Sequence, residues 1–297
     1  MSNSCTQNHI NMASTPCNPQ LEITTHEIRK GKNRLNINVI RDDYLDAGTK
    51  QRGQEFFNQL TNYNSVVTVA ATSGYGQLAT AVMARKAGLS AYIIVSYSVP
   101  ENYMTNRVRS MPNAEYIVVT RFNHLLHYIN PITGLKVSIE DGYPEDPDSA
   151  STISNGLLER VLNHFTESES DMYKMSLGLH DPGYIQALVD ALSVHTSYLQ
   201  PKRLWLTVGS GTILTALKSL WPNTQFMCVQ VGRNIDSIKR ELGIDTPTYT
   251  SRYKFADSIV NKKELPPFPS LANYDAKAWS FIVKHGQDGD YFWNVAG

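Results

Sequence analysis

Two segments of the chain repeat one pattern, in which a short apolar run leads through a turn of small residues into a helical stretch. The runs are residues 65–70 (SVVTVA) and 204–208 (LWLTV), and the helices are predicted over residues 77–86 and 213–220. Runs without polar alternation are typical of strands buried on both faces of a parallel sheet, which helical crossovers connect. Other predicted strands are residues 35–40, 91–95, 116–119 and 226–231, and other predicted helices are residues 51–60, 156–165 and 183–193. The sequence therefore predicts an α/β fold.

The charge balance gives no support to a nucleic-acid partner. Lys plus Arg and Asp plus Glu each total 27 among 297 residues, whereas proteins that bind a nucleic-acid backbone usually carry a basic excess. Basic residues cluster over residues 29–52, but acidic residues offset many of them, and we interpret this stretch mainly as a solvated surface. We expect a small-molecule ligand, although the basic stretch keeps a nucleic-acid carrier open.

The cysteines and the start of the chain indicate a reducing compartment such as the cytoplasm. Cys5, Cys17 and Cys228 are odd in number and widely spaced, which gives neither a disulfide framework nor a metal site. Residues 1–20 are polar and lack the apolar core of a secretory signal, so we predict a disordered tail. No apolar run approaches the roughly 20 residues that a membrane-spanning helix requires.

The turn after the second apolar run is the clearest candidate for an anion site. It consists of Gly209, Ser210, Gly211 and Thr212, directly before a predicted helix. Backbone N–H groups and the helix dipole favour an anion at a helix N-terminus, and the two hydroxyls add donors. A tight strand-to-helix turn that binds nothing explains these residues equally well. The spacing matches neither a nucleotide P-loop nor a three-glycine dinucleotide motif.

The turn after the first apolar run has the same setting with different residues. It contains Thr72, Ser73, Gly74, Tyr75 and Gly76. Such a turn can hold a carboxylate through its backbone amides and the hydroxyls of Thr72 and Ser73. A simple turn without a ligand is again the alternative.

Lys50 follows a glycine at the start of a predicted helix. A lysine gains nothing from the helix dipole at that end, and most lysines in such positions are exposed and inert. The functional interpretation is a lysine whose uncharged amine attacks an aldehyde and forms a Schiff base. The residues by themselves leave both interpretations open.

These segments, in this order, resemble the tryptophan-synthase-β-like (fold-type II) pyridoxal-phosphate enzymes. The nearest branch is that of 1-aminocyclopropane-1-carboxylate deaminase and D-cysteine desulfhydrase. It has Lys-Arg-Asp/Glu-Asp at the end of a strand, then Gly-Gly-Asn-Lys-x-Arg-Lys, whose first lysine binds the cofactor. Here Ile40-Arg41-Asp42-Asp43 and Ala47-Gly48-Thr49-Lys50-Gln51-Arg52 occupy that pattern. The resemblance implies that Lys50 holds pyridoxal 5'-phosphate as a Schiff base.

The same resemblance implies roles for the two turns. Thr72-Ser73-Gly74 is similar to the Thr-Ser-Gly-Asn loop that binds the substrate carboxylate, so residues 72–76 are expected to bind substrate. Gly209-Ser210-Gly211-Thr212 is similar to the phosphate-binding Gly-Ser-Gly-Gly-Thr loop of the cofactor site. His180-Asp181-Pro182-Gly183-Tyr184 resembles the helix start that precedes this loop in the family.

A fourth match lies near the C-terminal end of the sequence. Residues 271–278 (LANYDAKA) resemble the Asp-Pro-Val-Tyr-x-Gly-Lys segment of the deaminase branch. The resemblance implies that Tyr274 is catalytic, together with Lys50 and Tyr75. It also implies that Asp275 binds the cofactor and keeps the pyridine nitrogen protonated. Asp275 is alternatively the N-cap of the helical run that follows it, and the two roles are compatible.

The sequence departs from the family pattern at several positions. Tyr75, or Gly74 under a one-residue shift, stands where an asparagine contacts the cofactor. The phosphate loop has one glycine fewer, Ala47-Gly48 replaces Gly-Gly, and the deaminase's Ser-Asn-His loop is not reproduced. These changes bear on the ring-opening deaminase reaction more than on cofactor binding.

The resemblance implies two domains, each a mostly parallel sheet flanked by helices. The small domain is predicted over residues 54–150, and the large cofactor-binding domain over residues 21–53 and 151–297. We predict a pyridoxal-phosphate-dependent lyase or deaminase that acts on a small amino acid through a carbanion, with a homodimer as the expected assembly. One alternative is the same chemistry, such as decarboxylation, on an amino-acid group attached to a larger carrier, for example a modified nucleic acid. The other is a non-catalytic member of the family that binds a ligand.

Overall fold

The computed structural model describes residues 20–30, 33–71, 74–96, 101–122, 124–141, 154–167, 171–231, 234–253 and 259–296. Within these ranges no helix is long and apolar enough to cross a membrane. The same ranges contain no group of three or more His, Cys, Asp or Glu side chains that could hold a metal ion. Residues 1–19, and with them most of the predicted disordered tail, lie outside the described ranges.

The described residues form twelve β-strands arranged in two sheets. The strands are β1 (Ile23–Lys30), β2 (Asn33–Arg41), β3 (Ser65–Val69), β4 (Ser90–Ser96), β5 (Ala114–Phe122), β6 (Leu125–Ile129), β7 (Lys136–Glu140), β8 (Met172–Met175), β9 (Arg203–Val208), β10 (Gln225–Gln230), β11 (Tyr249–Thr250) and β12 (Tyr291–Asn294).

Eight α-helices flank these sheets in the described part of the chain. They are α1 (Gln54–Asn58), α2 (Gly76–Lys86), α3 (Tyr103–Arg109), α4 (Asn155–Glu167), α5 (Pro182–Ser193), α6 (Thr212–Leu220), α7 (Asp236–Glu241) and α8 (Ala276–His285). Short 3-10 helices cover Asp42–Tyr44, Gly48–Gly53, Leu177–Leu179 and Lys262–Glu264.

The first sheet is centred on β9. Its strand order is β1-β2-β12-β9-β10-β11, and all neighbouring pairs except β1 and β2 are parallel. Residues 204–208 are all buried, because helices cover both faces of the strand. Leu204 and Leu206 pack in the same apolar cluster as Leu217 of α6, whereas Trp205 packs in the cluster that contains Ile282 of α8. A strand covered on both faces tolerates an unbroken apolar run.

The second sheet has the order β7-β6-β5-β4-β3-β8. Strands β8, β3, β4 and β5 are parallel, and β6 and β7 extend the sheet as antiparallel strands. All five residues of β3 are buried. Val66 packs in the cluster that includes Leu78 of α2, and Val67 packs in the cluster that includes Val161 of α4.

The predicted α/β fold with two mostly parallel sheets is confirmed. The apolar runs at residues 65–70 and 204–208 form β3 and β9, and each is followed by a helix, α2 and α6. The helix predicted over residues 51–60 is shorter than expected, because a 3-10 helix occupies Gly48–Gly53 and α1 begins at Gln54.

The interpretation of residues 29–52 as mainly a solvated surface is wrong in its second half. The Arg41 side chain is 4% exposed and forms two hydrogen bonds of 2.7 and 2.6 Å with the Asp43 carboxylate. The Arg52 side chain is 2% exposed and pairs with Asp42 at 2.6 Å. Acidic residues therefore do more than offset the basic charge: they allow two arginines to be buried as paired ions.

The predicted division into domains stays a prediction. The second sheet, however, includes residues that this prediction assigned to the large domain. Residues 151 onwards were predicted in the large domain. However, α4 packs on β3 and β4, and β8 pairs with β3 in the second sheet. The second sheet and its helices therefore reach Met175, because a helix and a further parallel strand follow the predicted boundary.

Candidate active site

A cavity of about 170 Å³ lies where β3 and β9 end and the two sheets approach each other. Each small-residue turn follows the carboxyl end of a parallel strand, β9 in the first sheet and β3 in the second, which is the end where ligands of α/β sheets usually bind. Predicted site residues that line the cavity are Lys50, Gly74, Tyr75, Gly76, Gly209, Ser210 and Tyr274. The other walls are largely apolar and include Val69, Ala70, Leu177, Leu179, Ile213 and Val295.

Lys50 places its amine at this cavity. Its Nζ donates a hydrogen bond of 2.9 Å to the carbonyl oxygen of Gly178. The side chain is partly accessible through the cavity, but protein atoms enclose the amine closely, and this desolvation lowers the pKa of Lys50 from 10.5 to about 8. A lysine with such a pKa holds an appreciable uncharged fraction near neutral pH, which a nucleophilic amine requires.

A buried network fixes the short helix that carries Lys50. The Trp293 indole donates to the Asp42 carboxylate at 3.1 Å and to the Thr49 hydroxyl at 2.8 Å. Asp42 also accepts from Arg52 on the other side of Lys50. The network therefore holds Thr49 and Arg52, which lie on either side of Lys50, against the end of β2 and against β12.

Close packing just before Lys50 requires a glycine at position 48. Gly48 has φ +60°, and a Cβ at this position would lie 2.3 Å from the carbonyl oxygen of Val295. The Tyr184 hydroxyl donates to the backbone carbonyl of Lys50 itself. Tyr184 belongs to the helix start that the sequence singled out, and it contacts the lysine backbone from α5.

The Gly178 carbonyl oxygen accepts hydrogen bonds from several site residues, a role that the sequence did not predict. Besides Lys50, it accepts hydrogen bonds from the Thr212 hydroxyl at 2.8 Å and the Ser210 hydroxyl at 3.4 Å. Gly178 has φ +72°, and a Cβ there would lie 2.3 Å from the Cβ of Ser210. Leu179 next to it also has a positive φ of 58°. The only sequence signal was a lone glycine shortly before His180, which by itself indicates no more than a turn.

The turn of residues 209–212 joins β9 to α6. Gly209 and Ser210 line the cavity, whereas Thr212 is fully buried. Gly211 is the N-cap of α6 at φ +91°, and a Cβ there would lie 2.6 Å from the Ile238 side chain. The turn thus presents its first two residues to the cavity at the N-terminus of a nine-residue helix, a favourable place for an anion.

The turn after β3 also contributes to the cavity wall. Thr72 and Ser73 are outside the described residues, and Gly74, Tyr75 and Gly76 line the cavity. A Cβ at Gly76 would lie 3.6 Å from Lys50 Nζ, so the turn and the amine are close neighbours. Burial raises the pKa of Tyr75 to about 12, and the nearby Tyr103 adds to the effect. Tyr75 is therefore a proton donor rather than a base at neutral pH.

Tyr274 and Asp275 are neighbours in sequence, but only Tyr274 reaches the surface of the cavity. Tyr274 lines the cavity, and its hydroxyl donates to the Thr207 carbonyl at 3.3 Å. Burial, and next the neighbouring Asp275, raise its pKa. Asp275 does not line the cavity and is 0% exposed.

The Asp275 carboxyl is only half satisfied by the described residues. Its Oδ2 accepts from the Ala296 amide at 2.9 Å, whereas Oδ1 has no hydrogen-bond partner. The Thr207 hydroxyl lies close enough to lower the carboxyl pKa without reaching hydrogen-bonding geometry. Burial outweighs these contacts and raises the pKa of Asp275 well above its ordinary value. Asp275 stands at the N-cap position of α8 but makes no capping hydrogen bond with its side chain, so the capping role is not realised.

Two mostly parallel six-stranded sheets with a lysine at the cavity between them define a known class of architecture. The chain has the fold of the fold-type II pyridoxal-phosphate enzymes. The resemblance stated from the sequence is therefore confirmed at the level of the fold.

Particular solved structures share this fold over most of their length. An ACC deaminase homologue is 15% identical, with 88% of this chain and 84% of that chain covered and a TM-score of 0.58. A hydrogen sulfide-producing enzyme from Fusobacterium nucleatum is 14% identical, with coverage of 91% and 83% and a TM-score of 0.58. A fungal L-serine ammonia-lyase from Rhizomucor miehei is 13% identical, with coverage of 94% and 95% and a TM-score of 0.54. No protein-family model and no curated protein matches the sequence. At these identities the likeness establishes the fold alone.

Proposed function

We propose that the protein is a pyridoxal-phosphate-dependent lyase or deaminase that acts on a small amino acid. The observation that supports this most strongly is Lys50, whose amine is desolvated, has a pKa of about 8 and lies at the cavity. The sequence pattern assigned the Schiff-base role to the same residue. Similar folds occur in a threonine deaminase and an L-serine ammonia-lyase, which agrees with this class of reaction.

The residues present fit pyridoxal phosphate. Lys50 would hold its aldehyde carbon, and the turn at Gly209 and Ser210 would hold its phosphate at the N-terminus of α6. Asp275 has a buried carboxyl oxygen without a hydrogen-bond partner among the described residues, but it lies behind the cavity wall. The fit to the cofactor therefore rests on the Lys50 amine and on the turn at Gly209 and Ser210, and a contact of Asp275 with the pyridine nitrogen stays a prediction from the resemblance.

When bound, pyridoxal phosphate withdraws electrons from the substrate carbon that loses its bond. The protein's own residues supply binding and proton movement. The amides of Tyr75 and Gly76 bind the substrate carboxylate, since the Gly74 amide donates to the Ala71 carbonyl at 2.8 Å. The Lys50 amine takes or returns a proton because its lowered pKa leaves it uncharged often enough to act as a base. Tyr274 and Tyr75 keep their protons at neutral pH, since burial raises the pKa of both, and they act as donors.

The size and lining of the cavity favour a small substrate. Its volume of about 170 Å³ is below the range of about 300–1,000 Å³ that is usual for pockets of drug-sized ligands, and the cofactor would occupy part of it, which leaves room only for a short substrate. The largely apolar walls leave little polar surface to bind a long charged side chain. We therefore propose short amino acids with small polar or apolar side chains as substrates.

The first experiment is the absorption spectrum of the purified protein with added pyridoxal phosphate. Wild type is expected to show a visible band that borohydride bleaches, and mass spectrometry of the digest should locate the reduced label on Lys50. Lys50→Ala should lack both the band and the label. Lys86→Ala, which removes an exposed lysine at the end of α2, is the matched control and should behave like wild type.

A screen of small amino acids then tests the reaction. Ammonia and keto-acid release from one of them, lost in Lys50→Ala and kept in Lys86→Ala, is the expected result. A protein that takes up no cofactor contradicts the whole proposal. A protein that binds the cofactor on Lys50 and releases neither product contradicts the lyase or deaminase assignment alone.

A further inference from the structure

The Thr212 hydroxyl lies at the centre of a hydrogen-bonded group beside the cavity. It contacts the Gly178 carbonyl at 2.8 Å, the Ser210 hydroxyl at 3.0 Å and Nδ1 of His180 at 3.4 Å. Thr212 is fully buried. Ser210 lines the cavity, and neither Thr212 nor His180 does. The imidazole therefore contacts the turn of residues 209–212 from outside the cavity.

A count of protons shows which groups donate to Thr212. A threonine hydroxyl has one proton and two acceptor positions. A carbonyl oxygen only accepts, so the Thr212 proton is directed to Gly178, and in its other two contacts Thr212 is the acceptor. Ser210 therefore directs its own proton inward, to Thr212 at 3.0 Å and to Gly178 at 3.4 Å. His180 donates from Nδ1–H, so its neutral ring is the tautomer with the proton on Nδ1.

The backbone around Leu179 brings the Gly178 carbonyl and the His180 ring to the same hydroxyl. Gly178 has φ +72° and Leu179 has φ +58°, and a positive φ is uncommon in a residue other than glycine. The chain after His180 is fixed, because the Asp181 carboxylate accepts from the Tyr184 amide at 3.1 Å at the start of α5. Strained backbone persists where the surrounding structure maintains it. The segment therefore presents the carbonyl and the imidazole together.

An anion in the cavity changes the hydrogen bonding of this group. Ser210 has a single hydroxyl proton, and it can donate this proton to an anion only by turning it away from Thr212. The buried Thr212 oxygen then loses a donor, and a buried acceptor without a partner is unfavourable. Among the described residues, the Nδ1–H of His180 is the donor that remains for this oxygen.

We propose that His180 is a positioning residue for the cofactor phosphate. By donating to Thr212 it releases the hydroxyl proton of Ser210, which binds a phosphate oxygen at the N-terminus of α6. This role rests on the proposed function, since it requires that pyridoxal phosphate binds in the cavity. It concerns the phosphate group alone, because His180 contacts the turn that holds the phosphate and does not line the cavity.

Comparison of pyridoxal 5'-phosphate with pyridoxal, which lacks the phosphate, isolates this contribution in a fluorescence titration. His180→Leu should weaken the binding of pyridoxal phosphate about three- to tenfold, the effect of one neutral hydrogen bond, and leave the binding of pyridoxal unchanged. His180→Asn keeps an amide N–H near the position of Nδ1 and should bind both ligands like wild type. His180→Gln places its amide farther from the backbone and should resemble His180→Leu.

His127→Leu is the matched control. His127 is also half-buried and also contacts a hydroxyl through Nδ1, that of Ser138 at 2.7 Å, but it lies on β6 and does not line the cavity. Its substitution should change neither dissociation constant. An equal loss of both ligands in His180→Leu and His180→Asn would overturn the proposal, because the histidine would then serve only the packing of its segment.

A double variant tests whether His180 acts through Ser210. In Ser210→Ala no hydroxyl proton turns to the phosphate, so the addition of His180→Leu should not reduce the preference for pyridoxal phosphate any further. A histidine that contacts the phosphate itself would still cost the same factor in the Ser210→Ala background. That result would overturn the proposed route through Thr212.

The wild type separates this role from the proposed function. A wild type that binds neither ligand overturns both. A wild type that prefers pyridoxal phosphate, with a preference that His180→Leu leaves intact, overturns the role of His180 alone. Nitrogen NMR of the imidazole gives a readout without cofactor, with the His180 signal assigned by its loss in His180→Asn. The neutral ring should carry its proton on Nδ1, and a proton on Nε2 instead would overturn the proposal.

Discussion

Replacement of Lys50 by methionine should stabilise the cofactor-free protein at neutral pH. Burial lowers the pKa of Lys50 from 10.5 to about 8, and each pH unit corresponds to about 1.4 kcal/mol. The charged amine therefore costs the folded state about 3 kcal/mol as an upper limit. Water that enters the cavity solvates part of the charge, so we expect Lys50→Met to raise the free energy of unfolding by about 1–3 kcal/mol at pH 7.

The sign of the pH dependence follows from the direction of the pKa change. Because the folded pKa lies below the unfolded one, the contribution of Lys50 to stability is fully present above pH 10.5 and is lost as pH falls through about 8. The advantage of the methionine variant should therefore be largest below pH 8 and should shrink steadily toward pH 10.5. The same pKa leaves about one amine in ten uncharged at pH 7, compared with fewer than about one in a thousand for an ordinary lysine.

Urea denaturation of both proteins, after removal of cofactor with hydroxylamine, measures this difference at several pH values. Lys86→Met is the matched control, because its exposed amine should give no pH-dependent change. Two results would refute the reasoning. One is a methionine variant that is less stable than wild type at pH 7, and the other is a stability difference that does not vary between pH 7 and pH 10. Either result would mean that the amine is solvated and that its pKa is close to that of a free lysine.

Two further substitutions test the packing that positions the site. Gly178→Ala should lower the free energy of unfolding by about 1–2 kcal/mol more than Gly243→Ala, and it should abolish cofactor uptake. Both glycines have positive φ, but only at Gly178 does the new Cβ meet a neighbour, Ser210, at 2.3 Å; equal losses in urea denaturation would contradict this. Arg52→Met should cost about 3–5 kcal/mol because it leaves the Asp42 carboxylate buried without its partner. Adding Asp42→Asn to it should cost less than the sum of the two single changes, and strict additivity would show that the pair is not coupled.

The parts of the fold that the sequence predicts are those with strands buried on both faces. Residues 204–208 and 65–70 are compact, largely apolar runs, and they account for β9 and β3, which are buried strands with a neighbour on each side. Strand β1 was missed because its sequence, ITTHEIRK, contains only two apolar residues and shows no alternation, and the strand lies at a sheet edge with β2 as its neighbour. Strands β8 and β12 have four residues each, too few for a periodicity to be recognised.

The candidate site was predicted best where a turn follows a strand. Gly209 and Gly74 line the cavity as expected of residues at the carboxyl ends of parallel strands. The burial of Arg41 and Arg52 could not be predicted from charge counts, because it depends on which acidic side chain each arginine meets in space. Gly178 belongs to no motif, and its role rests on contacts with residues more than thirty positions later and more than a hundred positions earlier in the chain.

The convergence on Gly178 explains how the site stays folded with its polar groups facing an apolar cavity. The Lys50 amine and the Thr212 and Ser210 hydroxyls would each lose hydrogen bonds to water on burial, and one carbonyl oxygen accepts from all three. A single carbonyl cannot satisfy three donors at full strength, and the 3.4 Å contact from Ser210 is the longest of them. A bound anion would therefore compete with the long, shared bond from Ser210, so little stabilisation is lost when this hydroxyl turns to a ligand. The positive φ angles of Gly178 and Leu179 hold the carbonyl in this place, and backbone strain of this kind persists where the surrounding structure needs it.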